Sequence, residues 1–190
     1  MGKLLRSFYL QPAIEVAPVF LGKYLVFESP RGRVSGKIID VEAYPAFSDE
    51  VSHGNKKTAR TEVMYKEGGY AYVYLIYGIH HQFAAVVNGC NMPEVVFIRA
   101  VVPEEGIEIM KGNFGKTVKD AGELTKSPGN LCRSFGIDMS LYGEDLTGEE
   151  IFIEDRGLMI PRESILSGQR VGINQNLEGR QRKLRYFLST

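Results

Sequence analysis

Apolar and polar positions alternate over several short stretches of this chain, and the pattern predicts more strands than helices. Over residues 12–21, Ile14, Val16, Ala17, Phe20 and Leu21 recur at helical spacing. With Pro12 near the first turn and Gly22 at the stop, this predicts a short amphipathic helix. Residues 24–28 read as a strand, Ser29-Pro30-Arg31-Gly32 as a hairpin turn, and residues from about 34 to 44 as the returning strand. Strands follow at 70–77, 82–87 and 95–101, the first two joined across Tyr77-Gly78-Ile79, where a glycine supplies the turn conformation. Ser127 as N-cap, Pro128 at the first helical position and Gly136 as the stop predict a second short helix. Strands at 151–154, 170–173 and 184–188 complete the sheet. With no repeat and no linker, the expectation is an α+β fold, mainly antiparallel and strand-rich, forming a single domain over residues 1–190.

Side chains on a strand alternate faces, so Ile39, Val41 and Ala43 are expected on one side and Asp40, Glu42 and Tyr44 on the other. Taken alone, such acids are usually solvated surface. The stretch Val95-Val96-Phe97-Ile98-Arg99-Ala100-Val101 changes that balance. It is apolar on both faces except for Arg99, which implies a strand covered on both sides. An arginine embedded there needs a carboxylate or several carbonyls, because an unpaired buried charge is very costly. Glu42 is a candidate partner. The pair is either a structural salt bridge or a device that holds a carboxylate ionised and oriented.

Tyr70, Tyr72 and Tyr74 share one strand face, while Val73, Leu75 and Tyr77 share the other. Strand tyrosines often only pack, with their hydroxyls at the rim. Tyr77 differs in standing at the strand end beside Gly78, where a large ring suits insertion into a partner better than a core. Tyrosine faces also suit a purine, since stacking on a base contributes about 1–3 kcal/mol.

Composition adds mainly exclusions. Over 190 residues, 44% are apolar and 24% charged, an ordinary globular balance. No apolar run spans a bilayer, and the N-terminus lacks the features of a signal peptide. Cys90 and Cys132 fit neither a metal-ligand spacing nor a disulfide framework, and His80 and His81 lack a third ligand. A cytoplasmic, reduced protein without metal or cofactor is expected. The formal net charge of zero does not advertise a nucleic-acid partner. Lys56, Lys57, Arg60 and Lys66 nevertheless cluster, as do Arg180, Arg182, Lys183 and Arg185. On charge alone these are solvated surface.

Several segments in order resemble the alkyladenine (3-methyladenine) DNA glycosylase family across nearly the whole chain. They are Arg6-Ser7-Phe8-Tyr9, Glu15-Val16-Ala17, Leu21-Gly22-Lys23, and Glu42-Ala43-Tyr44 with His53 nine residues beyond the tyrosine. Then follow Tyr72-Val73-Tyr74-Leu75-Ile76-Tyr77-Gly78, Ile98-Arg99-Ala100, and Pro128 with Leu131-Cys132. The resemblance implies a small barrel-like curved antiparallel sheet with flanking short helices and a protruding hairpin. It implies a base-excision-repair enzyme, monofunctional and bacterial in type, that flips alkylated or deaminated purines out of double-stranded DNA and hydrolyses the N-glycosidic bond. Glu42 would activate the water and Arg99 would orient Glu42. Tyr44, His53 and Tyr74 would form the base pocket, Tyr77 would wedge into the duplex, and Met64 would push at the opposite strand. Lys56, Lys57 and Arg60 would meet phosphates. A monomer is expected, since flipping one base needs no symmetry.

The chain departs from the family pattern in two places. Ala84, seven residues beyond Tyr77, stands where the family has an asparagine that crowds the exocyclic amine of guanine. The smaller side chain is expected to admit guanine-derived or xanthine-like lesions. In Ser127-Pro128-Gly129-Asn130, relatives more often have glycine before the proline and lysine at the last position. Two other functions fit parts of the sequence: a non-catalytic nucleic-acid module that stacks bases on Tyr72, Tyr74 and Tyr77, and a hydrolase of free nucleosides. Tyr77 argues against the second, because a small substrate needs no wedge.

Overall fold

The computed structural model describes residues 2–174 and 176–189. Its strands are β1 (Gly2–Lys3), β2 (Tyr24–Ser29), β3 (Gly32–Tyr44), β4 (Ala71–Ile76), β5 (His80–Val87), β6 (Glu94–Glu105), β7 (Ile151–Asp155), β8 (Ile165–Gly168) and β9 (Arg185–Leu188). Four helices accompany them: α1 (Arg6–Tyr9), α2 (Ala13–Phe20), α3 (Ile107–Phe114) and α4 (Pro128–Phe135). All strand pairings are antiparallel, in the order β1-β7-β2-β3-β6-β5-β4, with β9 joining β3 to β8. The α+β, mainly antiparallel architecture is the one the sequence pattern implies. The curved sheet stays open, ending at β1 and β4, so the expected barrel-like form does not close.

The two predicted helices form where their apolar spacing and caps place them. Ser127 accepts from the Asn130 N–H at 3.4 Å, Pro128 begins α4, and Gly136 ends it. One sheet face is covered by helices. Val16, Ala17 and Phe20 of α2 and Leu131, Cys132 and Phe135 of α4 pack with Val41, Ala43, Phe83, Ala85, Val96 and Ile98. Each large apolar side chain buried there stabilises the fold by roughly 1.5–3 kcal/mol. The opposite face carries a smaller cluster of Val63, Met64, Tyr72, Ala84, Val86, Val95 and Phe97. Among the described residues no helix is long and apolar enough to cross a membrane.

Three expectations are corrected. Strict alternation does not hold along β3, because β3 pairs with β6 as Ile38↔Val101, Asp40↔Ala100 and Val41↔Ile98. The ladder passes over Ile39 and Arg99, a bulge that resets the phase. Ile38, Val41 and Ala43 enter the core, and Ile39 is only half-buried. No strand forms at 170–173. There the Arg170 side chain is drawn into a buried ion pair and the Val171 N–H donates to a side chain instead of a ladder. β8 pairs with β9 in its place. Helix α3 lies outside the predicted elements, because Glu104, Glu105 and Glu108 mark that region as an acidic surface; its bracketing glycines, Gly106 and Gly115, are the signal that could have found it.

Candidate active site

The bulge between β3 and β6 brings three charged side chains together. Glu42 is fully buried, and its Oε1 lies 3.0 Å from Nη1 of Arg99. The same oxygen accepts from the Val171 N–H at 2.8 Å, and Oε2 accepts from the Tyr44 hydroxyl at 2.8 Å. Nε of Arg99 is buried without a hydrogen-bond partner among the described residues and lies 3.7 Å from Oδ2 of Asp40. Asp40 is in turn gripped by Arg185 of β9, at 3.0 Å through Nε and 2.7 Å through Nη2. Burial pushes the Glu42 carboxyl above the usual carboxylate range, while Arg99, the Val171 N–H and the Tyr44 hydroxyl pull it back. Among the described residues Oε2 takes only one protein donor, leaving it an acceptor position for a proton or a water.

Beside this cluster a cavity of about 640 Å³ opens over the smaller apolar cluster of the sheet and reaches Pro128 at the start of α4, within the range of small-molecule sites. Tyr44, His53, Tyr72, Tyr74, Ala84 and Phe97 line it, together with Met64, Gln82 and Arg99. Tyr72 and Tyr74 are stacked, with ring centroids 4.8 Å apart, and the His53 imidazole meets Tyr74 edge-on at 5.1 Å. His53 Nδ1 lies 3.1 Å from the Tyr72 hydroxyl, and burial and nearby Arg60 lower the imidazole pKa. Both effects favour the neutral imidazole. Its neighbour Gly54 passes so close to the Pro93 carbonyl that a Cβ would lie 2.3 Å from the oxygen. Only glycine fits there, and this close approach anchors the turn that presents His53. The Tyr74 hydroxyl donates to Gln82 Oε1 at 2.8 Å.

Tyr44 is held from behind. Arg170 places its guanidinium 4.6 Å from the Tyr44 ring centre and forms a fully buried pair with both oxygens of Asp49. It also donates to the carbonyls of Ala43 and Gly179. Removing one partner of such a pair costs about 3–5 kcal/mol, so it fixes the two loops flanking the cavity.

The structure brings Tyr44, His53, Tyr74, Ala84 and Arg99 into one lining and sets Glu42 one layer behind it, covered by Tyr44, Arg99 and Val171. Tyr77 stands at the cavity rim on the β4–β5 turn, 87% exposed. Lys56 and Lys57 are exposed outside the cavity, whereas Arg60 lines its mouth with its guanidinium 5.0 Å from the Tyr74 ring centre. Met64 is corrected. It sits fully buried in the short helical turn Glu62–Tyr65 and walls the cavity, so it has no exposed side chain to press against a second strand. Asp49, Arg170, Val171 and Gln82 are not singled out by sequence. Asp49 and Arg170 are 121 residues apart, and no local pattern links them. Among the described residues no group of three or more His, Cys, Asp or Glu could hold a metal ion.

Comparison with known proteins gives a consistent result. Residues 7–190 match the family described as methylpurine-DNA glycosylase. A protein of Desulfitobacterium hafniense is 38% identical over 196 aligned positions, covering 99% of this chain and 96% of its own length. One from Clostridium novyi is 39% identical with the same coverages, and one from Bacillus licheniformis is 39% identical over 96% of this chain and 91% of its own. All three carry the provisional name 3-methyladenine DNA glycosylase.

Proposed function

The chain belongs to the methylpurine-DNA glycosylase family, and from that membership we propose that it removes alkylated and deaminated purines from duplex DNA by hydrolysis alone. The observation that carries this reading is a buried, donor-ringed Glu42 directly behind an aromatic cavity of base-binding size.

An extruded purine would lie among Tyr44, His53 and Tyr74, where stacking replaces the neighbours it loses in the duplex. As the C1′–N bond breaks, positive charge builds on the deoxyribose. The Glu42 carboxylate, held in place by Arg99, stabilises that charge electrostatically. Water attacks C1′, its proton passes to Glu42 Oε2, and the purine departs with the bonding pair, leaving an abasic sugar. A 3- or 7-alkylated purine is already cationic and needs little acid help to leave. Tyr77 fills the vacated stack, and Lys56, Lys57 and Arg60 meet phosphates. Ala84 supports a range that reaches guanine-derived bases, because the cavity wall there carries only a methyl group. The protein acts as a single-domain monomer in the cytoplasm.

Single-turnover release from duplexes carrying one defined lesion tests the reading. Glu42→Gln should abolish release while lesion binding survives. Unchanged release would reduce Glu42 to a structural member of an ion pair. In the same series, a wild type that frees hypoxanthine but neither xanthine nor alkylguanine would remove the assignment to Ala84.

A further inference from the structure

Gln82 and Ala84 lie two residues apart on β5, so their side chains share the face that lines the cavity. Ala84 brings no polar atom. Gln82 brings a half-buried amide into the part of the lining to which Tyr72, Tyr74, Ala84 and Phe97 contribute. The amide is oriented, because the Tyr74 hydroxyl donates to its Oε1 at 2.8 Å. Tyr74 cannot easily yield, being stacked on Tyr72 and met edge-on by His53. With Oε1 engaged, the two N–H donors on Nε2 remain, and among the described residues no protein acceptor takes them. A donor pair held this way in an aromatic cavity is a recognition element for an acceptor.

We propose that Gln82 is a specificity-determining residue that reads the edge of the extruded base, favouring purines with a carbonyl oxygen at C6 over purines with an amino group there. The inference rests on the glycosylase reading and deepens it. Hypoxanthine, xanthine and alkylguanines present an oxygen that accepts from Nε2. An adenine-type base would oppose its own amino donors to those of Gln82, leaving polar hydrogens facing one another with no acceptor between them. Sites that hydrogen-bond one substrate group discriminate strongly for this reason.

DNA methylated with dimethyl sulfate contains 7-methylguanine and 3-methyladenine together, so one reaction reports both release rates under identical conditions. Wild type, Gln82→Glu and Gln82→Leu are compared. The glutamate retains an acceptor for the Tyr74 hydroxyl but loses both donors; the leucine loses both functions. The ratio of 7-methylguanine to 3-methyladenine release should fall roughly tenfold in each variant. A residue that only braces Tyr74 would leave the Gln82→Glu ratio at the wild-type value, and that result overturns the proposal. Using two variants guards against either failing to fold. If wild type releases neither base, the glycosylase reading itself fails, a result distinct from release with an unaltered ratio.

Discussion

Glu42 is surrounded by donors yet withdrawn from bulk water, and the two conditions act on its proton in opposite directions. Burial favours the neutral acid, while Arg99, the Val171 N–H and the Tyr44 hydroxyl favour the carboxylate, with a net upward displacement. A base works only when ionised, so activity should fall as pH drops through this raised pKa. Tyr44→Phe keeps the ring but deletes the donor on Oε2, which lets the pKa climb further. The acid limb of the single-turnover pH–rate profile should therefore move to higher pH in that variant; an unmoved limb would mean that the hydroxyl contributes nothing to the ionised state. The essentials at this scale are legible in sequence. Arg99 is the single polar residue in the stretch 95–101, and burial of a lone guanidinium demands a carboxylate or several carbonyls. Val171 escapes notice because it acts through its backbone N–H, which every residue except proline possesses.

At the scale of elements, the β4–β5 hairpin separates stability from function. Tyr77 has φ of 52° and Gly78 of 71°, the left-handed pair that a tight hairpin turn requires, and the Ile79 N–H closes it on the Ile76 carbonyl at 3.2 Å. Glycine adopts that conformation freely, whereas a tyrosine there costs about 1–2 kcal/mol. The ring gains nothing from the core in return, being almost wholly exposed. Strain kept at an exposed aromatic points to use. Tyr77→Gly should leave the melting temperature unchanged or higher while weakening affinity for a lesion-bearing duplex; calorimetry and a binding titration on the same preparation decide it. The hairpin is readable because Gly78 falls between two alternating runs. The bulge in β3 is not, since period-two counting assumes an unbroken ladder and the irregularity depends on how β6 lies beside it. The absent strand at 170–173 has a similar origin, as Arg170 answers to Asp49, a residue far away in the chain.

The molecule as a whole carries no excess of positive charge to hold DNA, only local basic groups, one of which includes Arg60 at the cavity with Lys56 and Lys57. Arg60 faces the cavity mouth while Lys56 and Lys57 face solvent, so this group can meet phosphates beside the cavity. Replacing Lys56 and Lys57 by alanine should weaken binding about equally for damaged and undamaged duplexes. The slope of log affinity against log salt should become shallower by about 0.9 for each phosphate that is no longer neutralised; an unchanged slope would place the phosphate track elsewhere. Fold class is legible at this scale because strand spacing is a property of the whole sequence, whereas the cavity depends on loops that meet only after folding. That convergence also governs timing. Tyr44 and Arg99 are synthesised well ahead of the Val171 N–H that completes Glu42 and of the Arg185 that grips Asp40. A nascent chain that has not yet reached Val171 holds an unfinished pocket, and a copy truncated before that residue never finishes one.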